Sequence, residues 1–390
     1  MNKKHSLTRK PGILQVLPAL MSGGVERCVL DTAEGLSKAG FRSFVVSSGG
    51  KLVTQLYQHG SRHFDLPMHS KNPFTIIQNI FALKKLIKYH DIDIIHAQSR
   101  APAWSAYYAA KLASCHFVTT IHGAHSISGS LKRFYNSVMT KGEQVVAVSE
   151  FIGEYAKQNY EFDHSKLNII HCGTNVDKFD YNKIDQKRMV EIAKNLRIPT
   201  DKPIIMLPGR LTRSKGHLFL LEAIKVLPKN SVTCLFVGDE NGHLNYREEL
   251  QRKINEYGLE NNVIITSNVA DMPAIYALSD IITCVSTKPE AFGLVSIEAQ
   301  AMGRMVIVSN LGGIRETIIP NETGWLVEPN NVEDLVNKIK FILKLPLKTR
   351  LECAYKAREH VLQNFSLESM WRKGVNMYNK ILEKNLKRNV

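Results

Sequence analysis

The feature that most constrains this chain is a rhythm. Short apolar runs alternate with stretches of helical spacing, and the alternation restarts after one polar interruption. In the first half, residues 13–17, 41–47, 92–96, 117–121, 145–148 and 167–170 read as strands. Helical spacing falls over 25–39, 75–89, 102–113 and 131–141. Strand, helix, strand at this interval predicts a parallel α/β sheet, because parallel neighbours need a crossover long enough to hold a helix. Polar, charged sequence over 177–202 breaks the pattern and predicts one surface helix. The rhythm then resumes with strands at 204–207, 233–237, 263–266, 281–285 and 305–308. Helices are expected at 216–227, 246–257, 273–277 and onward from 294, followed by a closing pair. A final amphipathic helix runs from 366 to near 384. The expected fold class is α/β, with two consecutive Rossmann-like, doubly wound domains and a cleft between them. The domains are expected at 1–175 and 176–365, with 366–390 a last helix packing back towards the first.

Composition bounds the function classes. The 390 residues suffice for two or three domains, and 44% hydrophobic with 22% charged residues is ordinary globular content. No apolar run reaches the roughly 18 residues of a membrane-spanning helix. The basic start leads into a strand rather than a signal segment. The six cysteines (Cys28, Cys115, Cys172, Cys234, Cys284, Cys353) show no metal spacing, which predicts core residues in a reducing, cytoplasmic compartment. Net charge is +15; residues 1–175 carry 20 Lys+Arg against 11 Asp+Glu, and residues 176–390 carry 31 against 25. Such an excess suits an anionic membrane surface or an acidic substrate. No nucleic-acid module is visible and aromatics are not interleaved with the basic residues, so no nucleic-acid partner is expected.

Candidate site residues gather at strand ends. After the strand at 281–285 comes Lys288-Pro289-Glu290-Ala291-Phe292-Gly293-Leu294, then a helix with Leu294, Ile297 and Ala301 on one face. Glu290 falls in the loop, Phe292-Gly293 opens the helix, and Glu298 sits more than a turn inside. Open parallel sheets bind ligands at this end, where helix N-termini offer unpaired N–H groups to anions. Two carboxylates there suit a ligand with hydroxyls on both sides of a phosphate. Gly209-Arg210-Leu211-Thr212-Arg213-Ser214-Lys215-Gly216 follows the first strand of the second half. Arg210 can fork onto two oxygens and Lys215 supplies a point charge, a diphosphate clamp without the Walker A glycine spacing.

In the first half, Ser22-Gly23-Gly24 joins strand to helix, and its missing Cβ atoms let backbone N–H groups approach a phosphate. A two-glycine turn is equally a structural device. His122, in Thr120-Ile121-His122-Gly123, can donate to a ligand oxygen or be a satisfied structural histidine. His96, Arg100 and Trp104 follow the preceding strand and could face an acceptor or line a polar loop. Asp91-Ile92-Asp93 looks like a metal-binding DxD, but it enters a strand rather than leaving one and reads as a solvated strand start.

Taken in order, Gly23-Gly24 with Glu26, His122-Gly123, Gly209-Arg210 with Lys215-Gly216, and Glu290-x7-Glu298 resemble a retaining GT-B glycosyltransferase of family four. Further stretches, including Ser99 to Trp104, Tyr135 to Met139, Leu207 to Arg213 and Asp271-Met272-Pro273, resemble alphaproteobacterial lipopolysaccharide core glycosyltransferases of the mannosyltransferase type. The resemblance implies a GT-B fold, its two domains facing each other across the cleft. It implies that Arg210 and Lys215 hold the donor diphosphate, that Glu298 accepts from the ribose hydroxyls, and that Glu290 contacts the donor sugar. Phe292, Gly293 and Leu294 would offer backbone N–H groups, with Val269 near the base. His122 would meet the sugar, and Gly23 and Gly24 would close over the diphosphate; Arg100 and Trp104 are the residues left as candidates for the acceptor. It further implies transfer from a nucleotide-sugar donor to a lipopolysaccharide core or related glycolipid. The Arg210/Lys215 pair does work a divalent metal could do, so no metal or other cofactor is expected, and the basic excess suits an anionic inner-membrane surface. Cys172-Gly173-Thr174-Asn175-Val176-Asp177 departs from the family's Asn-Gly-Val-Asp turn, so no ligand contact is assigned there. Two other classes remain open on the residues alone: a sugar-nucleotide epimerase of the same fold, and a non-catalytic basic binding protein.

Overall fold

The computed structural model describes residues 9–21, 23–127, 129–240, 244–267 and 269–388. The chain divides into two compact units, Met1–Gly173 with Leu367–Val390, and Thr174–Ser366.

The first unit runs β1 (Gly12–Val16), α1 (Gly24–Lys38), β2 (Arg42–Ser47), α2 (Val53–Gln58), β3 (Arg62–Asp65), α3 (Pro73–Tyr89), β4 (Ile94–Ala97), α4 (Arg100–Ala113), β5 (His116–Ile121), α5 (Ser130–Ser137), β6 (Gln144–Ala147), α6 (Glu150–Asn159) and β7 (Leu167–Ile169). The second runs α7 (Gln186–Asn195), β8 (Ile204–Pro208), α8 (His217–Val226), β9 (Thr233–Val237), α9 (Leu244–Glu256), β10 (Val263–Thr266), α10 (Met272–Leu278), β11 (Ile281–Cys284), α11 (Leu294–Ala301), β12 (Met305–Ser309), β13 (Trp325–Val327), α12 (Val332–Lys344) and α13 (Leu347–Asn364). The last helix, α14 (Leu367–Arg388), returns to the first unit.

Both sheets are parallel, ordered β3-β2-β1-β4-β5-β6-β7 and β10-β9-β8-β11-β12-β13. Each starts at a central strand, builds outward on one side, then crosses back and builds on the other. This is the Rossmann order, which creates a switch point between the first and fourth strands. The central strands β1, β4, β8 and β11 are buried throughout, as expected where helices cover both faces, and this produced their continuous apolar runs. Four elements, α2, β3, α6 and β13, lie outside the predicted pattern. β3 is Arg-His-Phe-Asp with its ends exposed, an edge strand that its register with β2 defines rather than any apolar run.

Local chemistry sets several boundaries. Asn72 Oδ1 accepts from Phe74 N at 2.9 Å and Pro73 occupies the first turn, starting α3. Asp271 caps α10 at Ala274 N and also takes a bidentate fork from Arg188 at 2.7 Å, locking α7 onto α10. The strand start at Asp91-Ile92-Asp93 is not simply solvated. Asp93 Oδ2 accepts from Gly12 N and its Oδ1 from Arg9, both at 2.7 Å, so the aspartate ties β4 to the start of β1.

The second core is built from Ile205, Leu207, Leu220, Phe236, Ile281, Ile307, Leu335 and Ile339. In the first unit, one cluster (Leu17, Leu20, Val29, Leu30, Val45, Leu56) lies against α1 and α2. A further cluster is completed by α14, whose Met377, Tyr378 and Ile381 join Ile13, Ile94, Val118 and Val146. Trp371 sits so close to α1 that a Cβ on Gly35 would lie 2.2 Å from its ring, and its Nε1 donates to Asp31 O at 2.7 Å. The final helix is thus part of the first unit's core.

Candidate active site

In the second unit β8 and β11 lie side by side at the switch point, and their following loops carry the candidate residues. After β8 the chain passes Gly209 and exposed Arg210, then a single 3-10 turn over Arg213–Lys215, and enters α8 through Gly216. Gly216 has φ 83°, and a Cβ there would lie 2.0 Å from Val285 O, so the loop rests directly on the end of β11. Thr287 N donates to Ser214 O at 2.9 Å and ties the two loops together.

The three cations of the first loop have different occupations. Arg213 donates to Glu249 Oε1 at 2.8 Å and lies over Tyr246, 5.5 Å from the ring centre, and so serves the α9 contact. Lys215 Nζ lies 2.8 Å from Glu290 Oε1, with both side chains only about a quarter exposed. Arg210 stays exposed on the same loop.

Glu290 is held from several sides. Ser286 Oγ also donates to its carboxylate, and its backbone carbonyl accepts from Gly313 N at 2.7 Å. Its neighbour in that bridge, Gly312, has φ 76°, and a Cβ there would lie 2.6 Å from Glu290 O and 2.8 Å from Glu290 N. Gly293 is the N-cap of α11, packed so tightly that a Cβ would lie 2.5 Å from Ile314 Cγ1. The Phe292 ring is buried 5.7 Å from the Phe365 ring, which leaves the backbone of this turn, with Leu294 the first helical residue, as the part able to face a ligand. Glu298 Oε2 accepts from Tyr276 Oη at 2.9 Å. Burial, then the Glu298 charge, raise the Tyr276 hydroxyl well above its ordinary value, so it stays a donor and Glu298 stays an acceptor. Val269 is half-buried just beyond β10, at the same sheet end; Asn268 lies outside the described residues.

In the first unit, Gly23 is the N-cap and Gly24 the first residue of α1; Ser22 lies outside the described residues. His122 follows β5 and its Nε2 lies 2.9 Å from Gln98 Oε1. His96 is structural: its ring bonds Tyr378 Oη at 2.6 Å and Thr120 Oγ1 at 2.7 Å, and burial, then His122, push its pKa down to about 3. Arg100 and Trp104 are both engaged with α5. Arg100 donates to Asn136 Oδ1 at 2.8 Å, and Trp104 Nε1 donates to Tyr135 O at 3.0 Å while stacking 5.1 Å from Phe134. Cys28 and Cys172 meet at 3.7 Å, and the Cys28 contact, then His122, hold the Cys172 thiol below its ordinary range against the effect of burial.

The structure therefore brings Lys215, Glu290 and the α11 N-terminus together, with Arg210 on the same loop and Glu298 anchored behind. Sequence patterns did not reveal Ser286, Tyr276 or the backbone grip of Gly312 and Gly313 on Glu290. Gly312-Gly313 was visible as a loop, but its partner was not.

Two parallel sheets in Rossmann order, with Arg210, Lys215 and Glu290 on loops at the switch point of the second, are the architecture of a GT-B glycosyltransferase. The family model described as Glycosyltransferase Family 4 matches residues 22–178, and that described as Glycosyl transferases group 1 matches residues 189–360. The crystal structure of a glycosyltransferase from Rickettsia africae ESF-5 is 41% identical, with TM-score 0.90 over 96% of this chain and 99% of that one. An alpha-1,3/1,6-mannosyltransferase of Dictyostelium discoideum is 26% identical over 90% of this chain and 94% of its own length. A lipopolysaccharide 1,2-N-acetylglucosaminetransferase of Salmonella typhimurium is 26% identical over 58% of this chain and 59% of its own. The chain belongs to the group 1, family 4 glycosyltransferases.

Proposed function

We propose that this protein moves a hexose, with mannose the first candidate, from a nucleotide-diphosphate sugar to a hydroxyl of a lipopolysaccharide core or related glycolipid, with retention at the anomeric carbon. The observation that carries the reading is the Lys215–Glu290 pair, 2.8 Å apart at the β8/β11 switch point beside the start of α11. Arg210 and Lys215 would take the donor diphosphate, Glu298 the ribose, and Glu290 the sugar. Gly293 and Leu294 would add backbone N–H groups, with Val269 near the base. Gly23 and Gly24, at the start of α1, would offer backbone N–H groups to an anion.

Charge develops on the leaving β-phosphate, so cations aimed there stabilise the transition state more than the bound donor. Glu290 is committed to Lys215 and Glu298 accepts from Tyr276, which suits both to binding rather than nucleophilic attack. This favours front-face departure and attack, in which the glycosidic bond to phosphate breaks, the acceptor oxygen bonds to the same face, and the leaving phosphate takes the acceptor proton. The cation pair supplies the charge stabilisation that a metal could otherwise provide. Mannose is supported by the likeness to the Dictyostelium mannosyltransferase, and the lipopolysaccharide acceptor by the likeness to the Salmonella transferase.

A membrane-bound acceptor is supported by the face formed by α3, α4 and α5. α3 exposes Phe74, Ile77 and Phe81 in one stripe continued by Lys85 and Lys88, and α5 exposes Leu131 and Phe134 beside Lys132 and Arg133. Apolar side chains rimmed by cations suit peripheral docking on an anionic cytoplasmic leaflet. Among the described residues, no helix is long and apolar enough to cross a membrane. Engagement of Arg100 and Trp104 with α5 makes them supports of this face, with any acceptor contact remaining a proposal.

The test is a thermal-shift series with GDP-, UDP- and ADP-sugars, followed by transfer to a lipid-linked core acceptor. One nucleotide sugar should stabilise the protein and supply the transferred sugar. Stabilisation by none of them would overturn the donor assignment. Epimerised sugar with no released nucleotide would move the chain to the epimerase class. Sedimentation with liposomes should rise with anionic lipid content; indifference to that content would remove the membrane partner.

A further inference from the structure

We propose that Cys28, Cys172 and His122 form a site for a thiophilic divalent ion of the zinc class, with three protein ligands and a fourth position open. The site lies wholly within the first unit. Cys28 comes from the second turn of α1, His122 from the end of β5, and Cys172 from the segment after β7. One ligand atom from each lies within 4.8 Å of the other two. No sequence spacing announces this set, because its members are separated by whole βα units.

Two observations support the site. The first is geometric compatibility: the sulfurs share a thiol hydrogen bond at 3.7 Å, and two thiolates on one tetrahedral zinc, with bonds of about 2.3 Å, stand about 3.8 Å apart. A disulfide would require the sulfurs to close to about 2.05 Å.

The second is a relay of buried amides whose polarity can be traced from a fixed end. Val29 O can only accept, so the Gln15 amide group facing it at 3.2 Å must be Nε2. That orientation turns Gln15 Oε1 to Gln98, whose Nε2 donates to it at 2.8 Å. Gln98 Oε1 is then left to accept from His122 Nε2 at 2.9 Å. The proton of neutral His122 is therefore held on Nε2, and Nδ1 keeps its lone pair. Metal-binding histidines are oriented in this way, by donating the other ring N–H to a fixed acceptor. Gln15 and Gln98 are almost wholly buried, so the relay is rigid. Cys28 and His122 are part-exposed and Cys172 is buried. Both cysteines bind as thiolates, so any proton still on sulfur is released, and no redox step is involved.

The test uses full-length protein kept reduced and freed of metal, titrated with Co(II) as a spectroscopic stand-in for zinc. We expect one ion per chain, a sulfur-to-cobalt charge-transfer band, the intense visible bands of a four-coordinate ion, and their loss on adding Zn(II). Cys28→Ser, Cys172→Ser and His122→Gln should each weaken binding by about tenfold or more. Cys353→Ser, at a thiol outside the cluster, should bind as the unchanged protein does. Absence of the charge-transfer band in the unchanged protein overturns the site whatever the variants do. A band of equal affinity in any one of the three ligand variants overturns the three-ligand assignment.

Discussion

The Lys215 ammonium lies 2.8 Å from the Glu290 carboxylate, joining the loops that follow two adjacent strands, β8 and β11. The pair is partly exposed, so as a bare salt bridge it contributes only about 1 kcal/mol or less to stability. Its importance is therefore chemical. Lys215→Ala should lower kcat/KM on the order of 10²-fold or more while leaving the melting temperature nearly unchanged. Glu290→Gln should reduce turnover more than it reduces nucleoside-diphosphate affinity, because the charge on Lys215 is kept. Initial rates and calorimetric titration with the diphosphate separate the two.

Arg210 and Arg213 offer an internal comparison three residues apart. Arg213 is committed to Glu249 and Tyr246, whereas Arg210 is exposed at the loop's start. Arg210→Ala should cost turnover on the order of 10²-fold. Arg213→Ala should lose about 1 kcal/mol of stability or less and leave kcat within a few-fold. Equal activity losses in the two variants would contradict this division.

Tyr276 donates to Glu298 through a partly buried hydrogen bond of 2.9 Å. Tyr276→Phe keeps the ring and removes about 1 kcal/mol of hydrogen bonding, so donor affinity should fall roughly fivefold. Glu298→Ala removes the acceptor itself and should abolish detectable transfer. Donor titrations of the two variants, alongside circular dichroism, distinguish lost positioning from lost fold.

Gly312 combines a positive φ with backbone contact on Glu290. Gly312→Ala forces the Glu290 segment to shift and adds backbone strain of about 1–3 kcal/mol. Transfer should fall although residue 312 carries no chemistry. The same substitution at Gly258, where φ is also positive but open space surrounds the Cβ, should leave transfer unchanged.

Two buried groups of the first unit give opposite pH dependences. His96 is neutral in the fold down to about 3, whereas an unfolded histidine protonates near 6.5. The unfolded state therefore binds more protons between those values, and this contribution to stability is lost as pH falls below about 6.5. Burial raises Asp31 to about 7, with Arg27 opposing. There the folded state binds more protons, and stability falls as pH rises from about 4 towards 7. Either slope is at most about 1.4 kcal/mol per pH unit. Urea midpoints measured against pH should lose the acid-side decline in His96→Gln and the opposite slope in Asp31→Asn.

Hydrophobic rhythm and strand-end loops marked the central strands and most helices, because a strand buried on both faces must be apolar throughout. They missed β3, an exposed edge strand whose place comes from pairing with β2 rather than from its composition. The same limit applied to the site. Arg210, Lys215 and Glu290 stood out by charge in strand-end loops and Glu298 in the helix that follows one, yet nothing local separated Arg213 from Arg210. Tyr276 and Ser286 carried no signal, because each acquires its role from a carboxylate on another segment.

By itself the sequence determined the two Rossmann-type halves and the chemistry offered at their strand ends, since burial period and charge are local properties of the chain. Only the tertiary structure decided which cation meets which carboxylate. It also turned Asp93 from a solvated strand start into a clamp on β1, and brought Cys28, His122 and Cys172 together. Those outcomes depend on sheet order and on backbone approaches of a few ångströms between segments far apart in sequence, and no local pattern encodes them.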